Sequence, residues 1–487
     1  MVDHGLLQGE APPSADILTA WLKEYGVLVS DGVKIVPMAD GTGWRVVAAR
    51  DLEPFEPIVK IPKSAILSTR TCSLPPLSTS IDSVATTSHT ILGLALALLH
   101  ELRLGPDSRF WGYTQSLPRA TVLVPSLWPL DPNAESASAW LQGTEASRDI
   151  ERRKLEGIGL DSMRRWYAAT RTHLPPTRFH TGPSPFEAFA HAYSLVSTRA
   201  FLVDLYHLVA LCPFADLLNH SGANHTSLAS DDFVCHRCGS LPVCEHDGPD
   251  LDRLTHLEER ERARLTEPDT VDMYVEMPAA AGDEVMNTYG EHLSEARLLV
   301  EWGFVPSEED AGDALVAEAV TWEVEELLQG TKEVDVIDAV VAASSHLEEC
   351  EDALLCLPSR GMYHINLAGQ VSLRLFAALY ARHAPLRFLL GDVRCLEEAW
   401  EMVENGCESI PINKHLVAVA SDLRELVLAR LQGMYRPDME VGKMCDTREA
   451  LPDDARLEHM AMTVAINERA LLRSVLERWE TLLAAVE

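Results

Sequence analysis

The pattern of apolar and polar residues predicts strands in two distant parts of the chain. Apolar side chains occupy every second position over residues 271–277, which is typical of a half-buried strand. Apolar and β-branched stretches at residues 44–48 and 58–61 are bounded by turn residues and predict two more strands. Residues 283–288 predict a further strand. The β region is therefore expected to form from pieces that are far apart in the sequence.

A helical block separates these pieces, and another follows them. Between about residues 83 and 206, and again after Gly303, apolar residues recur three and four positions apart, which favours amphipathic helices. The clearest segments are residues 91–104, 186–208, 367–380, 415–435 and 457–486. The longest apolar run, residues 91–99, is well short of the roughly 20 residues that span a bilayer, so we interpret it as a buried helix.

These patterns predict an α+β protein with more than one folded unit, which suits a chain of 487 residues. We expect an N-terminal extension at residues 1–24, a β domain at residues 25–305 and an all-helical domain at residues 306–487. The β domain would carry a helical insertion at about residues 70–210 and a second insertion at about residues 230–265.

Four short strings carry candidate chemistry. The first is DGTGWR at residues 40–45, a glycine-containing turn that would let the backbone approach a ligand closely. The second is STRAF at residues 197–201, and the third is PFADLLNHS at residues 213–221. The fourth is AGDEVMNTYG at residues 281–290, followed by LLVEWGF at residues 298–304. The first string alone is typical of a plain β-turn, but the ordered set is far more specific.

The set resembles the SET-domain lysine methyltransferases, in the branch of plant Rubisco large-subunit methyltransferase and its nuclear and ribosomal-protein-modifying relatives. The resemblance covers about residues 25–305, and the helical region after it is similar in position and helicity to the substrate-binding domain of this branch. It implies a SET β-fold that is split by a helical insertion. It also implies methyl transfer from S-adenosylmethionine to lysine side chains of a protein.

The same resemblance implies a role for individual residues. Tyr289 would be the catalytic tyrosine, with its hydroxyl near the transferring methyl group and the cofactor. The expected cofactor-binding residues are Thr42, Gly43, Trp44, Arg199, Asn219, His220 and Phe304, with Phe304 on the adenine. Arg199 could instead bind the substrate, and Asp216 would lie near the substrate lysine. Thr42 and Trp44 depart from the small apolar and acidic residues of the family's turn, so only their backbone contacts are expected.

Simpler interpretations of these residues stay open. Arg199 and Asp216 could form a structural ion pair. Tyr289 could be a half-buried tyrosine with a hydrogen-bonded hydroxyl.

A fifth feature lies outside the family pattern. The spacing of Cys235, Cys238, Cys244 and His246 offers three thiolates and an imidazole, a full tetrahedral set for a structural zinc ion. His236 is an alternative fourth ligand. Closely spaced cysteines can also be free thiols or a redox pair.

The charge balance restricts the partners. The formal net charge of -33 would repel nucleic acid and would attract a basic protein with an accessible lysine, such as a ribosomal protein or a histone. Neither a secretory signal nor a membrane segment is expected, and the sparse cysteines suit a reducing compartment, so we expect an intracellular protein of the nucleus or cytoplasm. A monomer is the default. Two alternatives are a histidine methyltransferase of the same fold and a catalytically silent adaptor that binds a basic protein.

Overall fold

A computed structural model provides the fold. It describes residues 15–38, 43–75, 87–182, 184–231, 233–248, 253–254, 268–290, 293–306, 318–323, 327, 363–383 and 414–484. The strands are β1 (Leu28–Val29), β2 (Val33–Pro37), β3 (Trp44–Ala48), β4 (Pro57–Pro62), β5 (Ala200–Asp204), β6 (Leu208–Leu211), β7 (Thr226–Ser230), β8 (Thr270–Val275), β9 (Glu318–Thr321) and β10 (His364–Asn366). The first helices are α1 (Ala15–Glu24), α2 (Thr87–Leu104), α3 (Trp111–Thr114), α4 (Ala134–Trp140), α5 (Glu145–Leu155), α6 (Leu160–Thr170) and α7 (Phe186–Arg199). The later helices are α8 (Glu295–Trp302), α9 (Leu373–Ala381), α10 (Lys414–Gly433), α11 (Val441–Glu449) and α12 (Arg456–Ala484).

The largest sheet joins strands from both sides of the helical insertion. Its order is β1-β4-β8-β7, and every pair is antiparallel. Ile61 of β4 faces Val271 of β8, and both are fully buried. The strands predicted at residues 44–48 and 58–61 are confirmed, and β8 confirms most of the strand predicted at residues 271–277.

The strand predicted at residues 283–288 is wrong. The backbone there pairs with three different neighbours, namely β3, residues 219–221 and the start of β7, so no continuous ladder forms. Val285 donates to the Val46 carbonyl of β3 at 2.8 Å, whereas Asn287 donates to the Asn219 carbonyl at 2.8 Å. Residues 283–288 therefore connect the β2–β3 hairpin to the PFADLLNHS string at residues 213–221.

The helical insertion packs α2 against α7. Leu94, Leu96 and Leu98 of α2 are all fully buried, which explains why this helix is apolar around most of its circumference. Helix α1 joins the same core through Leu18 and Trp21. The domain boundaries that we predict stay predictions.

Helix α7 ends earlier than its apolar pattern predicts. The pattern over residues 186–208 favours one helix, but Ala200 has an extended backbone and begins the β5–β6 hairpin. Residues 200–211 instead pair across this hairpin, with Ala200 opposite Leu211. Apolar residues in a short half-buried hairpin have spacings that a helix can also satisfy.

The C-terminal region is largely helical, as predicted, but it also contains a small sheet. Strand β9 pairs antiparallel with β10, so the all-helical prediction is incomplete. The helix predicted from residue 367 begins at Leu373, because residues 366–370 form a turn in which Gln370 donates its N–H to Asn366 Oδ1 at 2.9 Å. Ser372 then caps the helix. Helices α10 and α12 confirm the predictions for residues 415–435 and 457–486, as far as the described residues reach.

A buried ionic cluster joins the insertion to the C-terminal helices. Glu145, at the start of α5, accepts hydrogen bonds from Arg430 of α10 at 2.7 Å and from the Thr321 hydroxyl at 2.6 Å. Glu468 of α12 accepts the Glu145 backbone N–H at 2.7 Å and lies 3.3 Å from Arg430 Nε. Burial, together with the nearby Glu145 carboxylate, raises the pKa of Glu468 to about 7.

Among the described residues, no helix combines the length and the apolar character that crossing a membrane requires.

We expect Glu468 to make stability depend on pH. Its folded-state pKa of about 7 exceeds the ordinary value of 4.5. Its contribution to the free energy of unfolding is therefore fully present below the unfolded pKa and is lost as pH rises through the folded pKa. The melting temperature of the wild type should fall between about pH 5 and about pH 8, and Glu468→Gln should flatten this fall.

The measurement is a series of thermal melts across that pH range. Glu480→Gln is the matched control, because Glu480 forms a half-exposed pair with Arg424. Identical pH slopes in the wild type and in Glu468→Gln would contradict the assignment.

Candidate active site

The motifs meet around one small pocket. It has a volume of about 130 Å³ and lies where α7 ends, beside the turn at residues 215–217 and the loop after Asn287. Its lining residues are Thr198, Arg199, Ala200, Phe201, Leu202, Asp216, Thr288, Tyr289 and Trp302. Three of the four strings, together with the residues that follow the fourth, thus contribute to one cavity.

Asp216 contributes a buried carboxylate to this pocket. Its Oδ2 accepts a hydrogen bond from the Tyr113 hydroxyl at 2.8 Å. Its Oδ1 is buried and has no hydrogen-bond partner among the described residues. Burial raises the pKa of Asp216, although the Arg199 guanidinium and the Tyr113 hydroxyl oppose this rise. Burying a carboxylate with an unused oxygen is costly, so such an oxygen indicates a ligand-binding role.

The backbone before Asp216 is strained. Phe214 has φ +82° and ψ −50°, a conformation that residues with a side chain rarely adopt, and its side chain is fully buried. Arg199 braces the turn that follows, because its Nη1 donates to the Asp216 carbonyl at 2.7 Å. The same nitrogen lies 3.9 Å from Asp216 Oδ2. The ion pair that the sequence left open is therefore present, and it lies in the wall of the pocket.

Tyr289 links the pocket to an aromatic cluster. Its ring centroid lies 5.5 Å from that of Trp302, 5.2 Å from that of His220 and 6.2 Å from that of Phe304. Its backbone N–H donates to His220 Nδ1 at 3.1 Å, and its hydroxyl lies 3.4 Å from the Leu218 carbonyl. Burial raises the pKa of Tyr289, with the nearby Arg199 charge opposing the shift, so its hydroxyl stays neutral near pH 7.

Arg199 and Tyr289 line the pocket, whereas the other described candidates for cofactor binding are not among its lining residues. Asn219 Nδ2 donates to Glu284 Oε1 at 2.7 Å, and Glu284 pairs with Arg45 at 3.3 Å. Trp44, next to Arg45, has a buried Nε1 with no hydrogen-bond partner among the described residues. Gly43 precedes strand β3, and the Gly43 carbonyl accepts a hydrogen bond from the Met38 N–H. Thr42 lies outside the described residues.

Three contributors were missed by sequence reasoning. Tyr113 comes from the helical insertion, and only its buried position marks it. Glu284 lies inside the fourth string but resembles an ordinary strand residue there. Trp302 directly precedes the glycine that ends α8, where Gly303 has a φ of +78°. This position next to a helix end was a usable signal for Trp302, whereas Tyr113 had none.

A second cluster lies in the insertion after β7. The ligand atoms of Cys235, Cys238, Cys244 and His246 all lie within 4.8 Å of one another. The Cys238 and Cys244 sulfurs are 3.5 Å apart, and Cys244 Sγ lies 3.7 Å from His246 Nδ1. A tetrahedral zinc ion with bonds of about 2.3 Å holds its sulfurs about 3.8 Å apart, so these distances suit it. His236 is exposed and is not part of this set.

The backbone around Cys235 favours a thiolate. Burial would raise the pKa of this thiol, but the N–H groups of Arg237 and Cys238 outweigh burial and lower the pKa to about 6. Arg253 holds the loop in shape by donating to the Leu241 carbonyl at 2.8 Å and to Asp247 Oδ1 at 2.8 Å.

Comparison with known proteins gives sequence relatives of one kind. No family model matches the chain. The chain is 26% identical over 329 residues to ribosomal lysine N-methyltransferase 3 of Saccharomyces cerevisiae, and this alignment covers 55% of this chain and 57% of that protein. It is 28% identical over 310 residues to N-lysine methyltransferase SETD6 of Homo sapiens, which covers 63% of this chain and 57% of that protein. These alignments span less than two thirds of the length of either relative.

Solved structures share the fold. The crystal structure of the SET domain of LSMT bound to lysine and AdoHcy aligns with a TM-score of 0.61 at 18% identity, covering 97% of this chain and 92% of that chain. The structure of Rubisco LSMT bound to AdoMet gives a TM-score of 0.60 at 17% identity, covering 98% and 94%. The chain therefore has the fold of these SET-domain structures and is similar in sequence to N-lysine methyltransferases, which confirms the family resemblance that its motifs indicate.

Proposed function

We propose that this chain is an S-adenosylmethionine-dependent methyltransferase that acts on lysine side chains of a protein substrate. The observation that carries the proposal is the small pocket that Asp216 lines together with Phe201 and Trp302, because Asp216 Oδ1 is buried and has no hydrogen-bond partner among the described residues. A lysine side chain has an apolar stem and a cationic tip, so it matches both features. The similarity to N-lysine methyltransferases supports the same assignment.

The pocket would prepare the amine for attack. A free lysine has a pKa of about 10.4. The apolar walls and the Arg199 guanidinium would favour the neutral amine, whereas the Asp216 carboxylate would favour the ammonium form in which the side chain first binds. Phe201 and Trp302 would exclude water from the stem, while Asp216 Oδ1 would accept a hydrogen bond from the amine and orient it. Because Tyr289 is neutral near pH 7, we assign its hydroxyl an orienting role rather than that of a base. The amine proton would leave to solvent.

The residues around His220 and Phe304 fit the methyl donor. S-adenosylmethionine, when bound, supplies a methyl group on a positively charged sulfur. The rings of His220 and Phe304, with centroids 6.0 Å apart, would offer an aromatic surface to the adenine. Asn219 uses its Nδ2 for Glu284, and since no described residue donates to its Oδ1, that oxygen would accept a hydrogen bond from an ammonium group. The buried Nε1 of Trp44 would donate to an acceptor of the ligand.

Tyr289 would therefore be the shared wall of both sites. It lines the small pocket beside Asp216, which would hold the acceptor lysine and is called the acceptor pocket below. It also contacts His220 and Phe304. Methyl transfer is an in-line displacement that needs the nitrogen about 3 to 3.5 Å from the methyl carbon, so a rigid shared wall would set that distance. Cofactor roles for Gly43, Thr42 and Arg199 stay predictions from the resemblance.

The substrate should be a protein with an accessible lysine in basic surroundings, such as a ribosomal protein or a histone. The net charge of -33 supports this class, because it attracts basic segments and repels nucleic acid. None of the described cysteines forms a disulfide, which suits the reducing environment of the nucleus or cytoplasm. We take the protein to act as a monomer.

We predict that Tyr289→Phe loses methyl transfer but keeps cofactor binding. The purified protein is incubated with isotopically labelled S-adenosylmethionine and with a proteome extract from cells that lack this protein. Mass spectrometry then locates the label. Loss of the orienting hydroxyl should lower lysine labelling by at least about 100-fold. S-adenosylhomocysteine affinity should stay at the wild-type value, because the ring remains.

Tyr25→Phe is the matched control, since the Tyr25 ring stacks on Trp21 away from the pocket. Label on histidine would keep the fold and change the acceptor. Cofactor binding without any label would favour the adaptor alternative.

We further propose that Cys235, Cys238, Cys244 and His246 hold a structural zinc ion. The near-tetrahedral spacing of the thiols and the imidazole supports the ion, and four protein ligands would leave no open position for catalysis.

Metal analysis tests this site. The wild type, purified under reducing conditions, should contain about one zinc ion per chain, because the four donors form a complete coordination set. Cys238→Ser should lose most of the zinc, whereas Cys445→Ser, at a free thiol on α11, should keep it. Wild-type protein without bound zinc, or equal zinc in both variants, would refute the assignment.

A further inference from the structure

The Cys/His loop, residues 233–248, packs directly on the tip of the β5–β6 hairpin. Gly239 has a φ of +73°, and a Cβ at this position would lie 2.6 Å from Cδ1 of Tyr206, so no larger residue fits between the loop and the ring. Tyr206 in turn packs edge-on against His207 at 4.8 Å and lies under the Arg70 guanidinium at 5.0 Å. The loop and the hairpin tip therefore form one packed unit.

Lys63 connects both ends of the second insertion, which carries the Cys/His loop, to the β5–β6 hairpin. Its buried Nζ lies 2.9 Å from Asp204 Oδ2 at the end of β5 and 2.9 Å from Asp269 Oδ1, and it donates to the Asp231 carbonyl at 2.9 Å. Asp231 precedes the Cys/His loop, and Asp269 lies just before β8. Because a buried ammonium group must keep its partners, these contacts fix the loop relative to β5.

Strand β5 leads from this unit into the acceptor pocket. Ala200, Phe201 and Leu202 line the pocket, and Leu202 is also 75% exposed, so it lies at the pocket mouth. Two more large apolar side chains are exposed on the unit: Leu205 at the hairpin turn is 60% exposed, and Val243 in the loop is 72% exposed. Three exposed large apolar side chains on one packed unit favour a protein-binding site there.

We propose that the Cys/His loop and the tip of the β5–β6 hairpin form a docking surface for the protein substrate. Leu205 and Val243 bind an apolar segment that flanks the target lysine. This inference rests on the proposed function, because the segment is defined by its distance from the pocket. The occupant follows from continuity: Leu202 belongs to both pocket and surface, so a chain whose lysine enters the pocket crosses Leu202 and meets the hairpin tip.

A zinc ion bound at the proposed site would hold this surface in shape. Val243 directly precedes Cys244, so an ion that holds Cys244 also holds the backbone of Val243. The Cys/His loop thus acts in substrate selection, away from the reacting atoms.

The experiment compares the double variant Leu205→Ser/Val243→Ser with the wild type. Both proteins are incubated with labelled S-adenosylmethionine and a proteome extract, and the initial rate of lysine labelling is measured. Loss of two apolar contacts at an interface should lower labelling about tenfold. Leu155→Ser is the matched control, because Leu155 is equally prominent at 89% exposed but lies at the end of α5.

Three results are distinguishable. Reduced labelling in the double variant, with wild-type S-adenosylhomocysteine affinity and a normal Leu155→Ser rate, supports the docking surface. Labelling equal to that of the wild type overturns the docking surface and leaves the proposed function intact. No lysine labelling by the wild type overturns both. If the double variant loses S-adenosylhomocysteine affinity, the single variants Leu205→Ser and Val243→Ser are judged by the same criteria.

Discussion

The burial of the Asp216 carboxylate is the constraint on which the active site depends. A carboxylate that leaves water costs several kcal/mol unless other groups compensate it. Here Tyr113 donates to one oxygen, and Arg199 braces the backbone carbonyl while its charge lies close to the same oxygen. These partners come from α3 and from the end of α7, two parts of the helical insertion, so the site forms only when both have packed against the turn that carries Asp216.

In the proposed mechanism, the remaining oxygen of Asp216 would give the pocket its selectivity. The insertion supplies Tyr113, the hairpin supplies Phe201 and Leu202, and α8 supplies Trp302. Apart from Asp216 and Arg199, the walls around a bound side chain would be largely apolar and aromatic. A cationic side chain with an apolar stem compensates the carboxylate better than a neutral side chain does. Tyr289 lines this pocket and also contacts Phe304, so in the proposed mechanism it would keep the pocket and the methyl-donor site in register.

Much of this arrangement could be predicted from the sequence, and the rest had a physical reason to stay hidden. Strict alternation marked the buried strand β8, and three-to-four spacing marked α10 and α12, because these elements present one face to a core. Residues 283–288 carry no such signal, since their backbone pairs first with β3 and then with Asn219. The motifs located Asp216 and Tyr289, but a long-range partner such as Tyr113 leaves no local pattern.

The central claim is that Asp216 makes the pocket a site for an amine. The most direct test is calorimetric titration of the S-adenosylhomocysteine complex with L-lysine and with L-norleucine. Norleucine has the same four-carbon stem and lacks only the side-chain ε-amine. The account predicts binding of lysine and much weaker binding of norleucine, with this preference lost in Asp216→Asn. Equal affinity for the two amino acids in the wild type would contradict it.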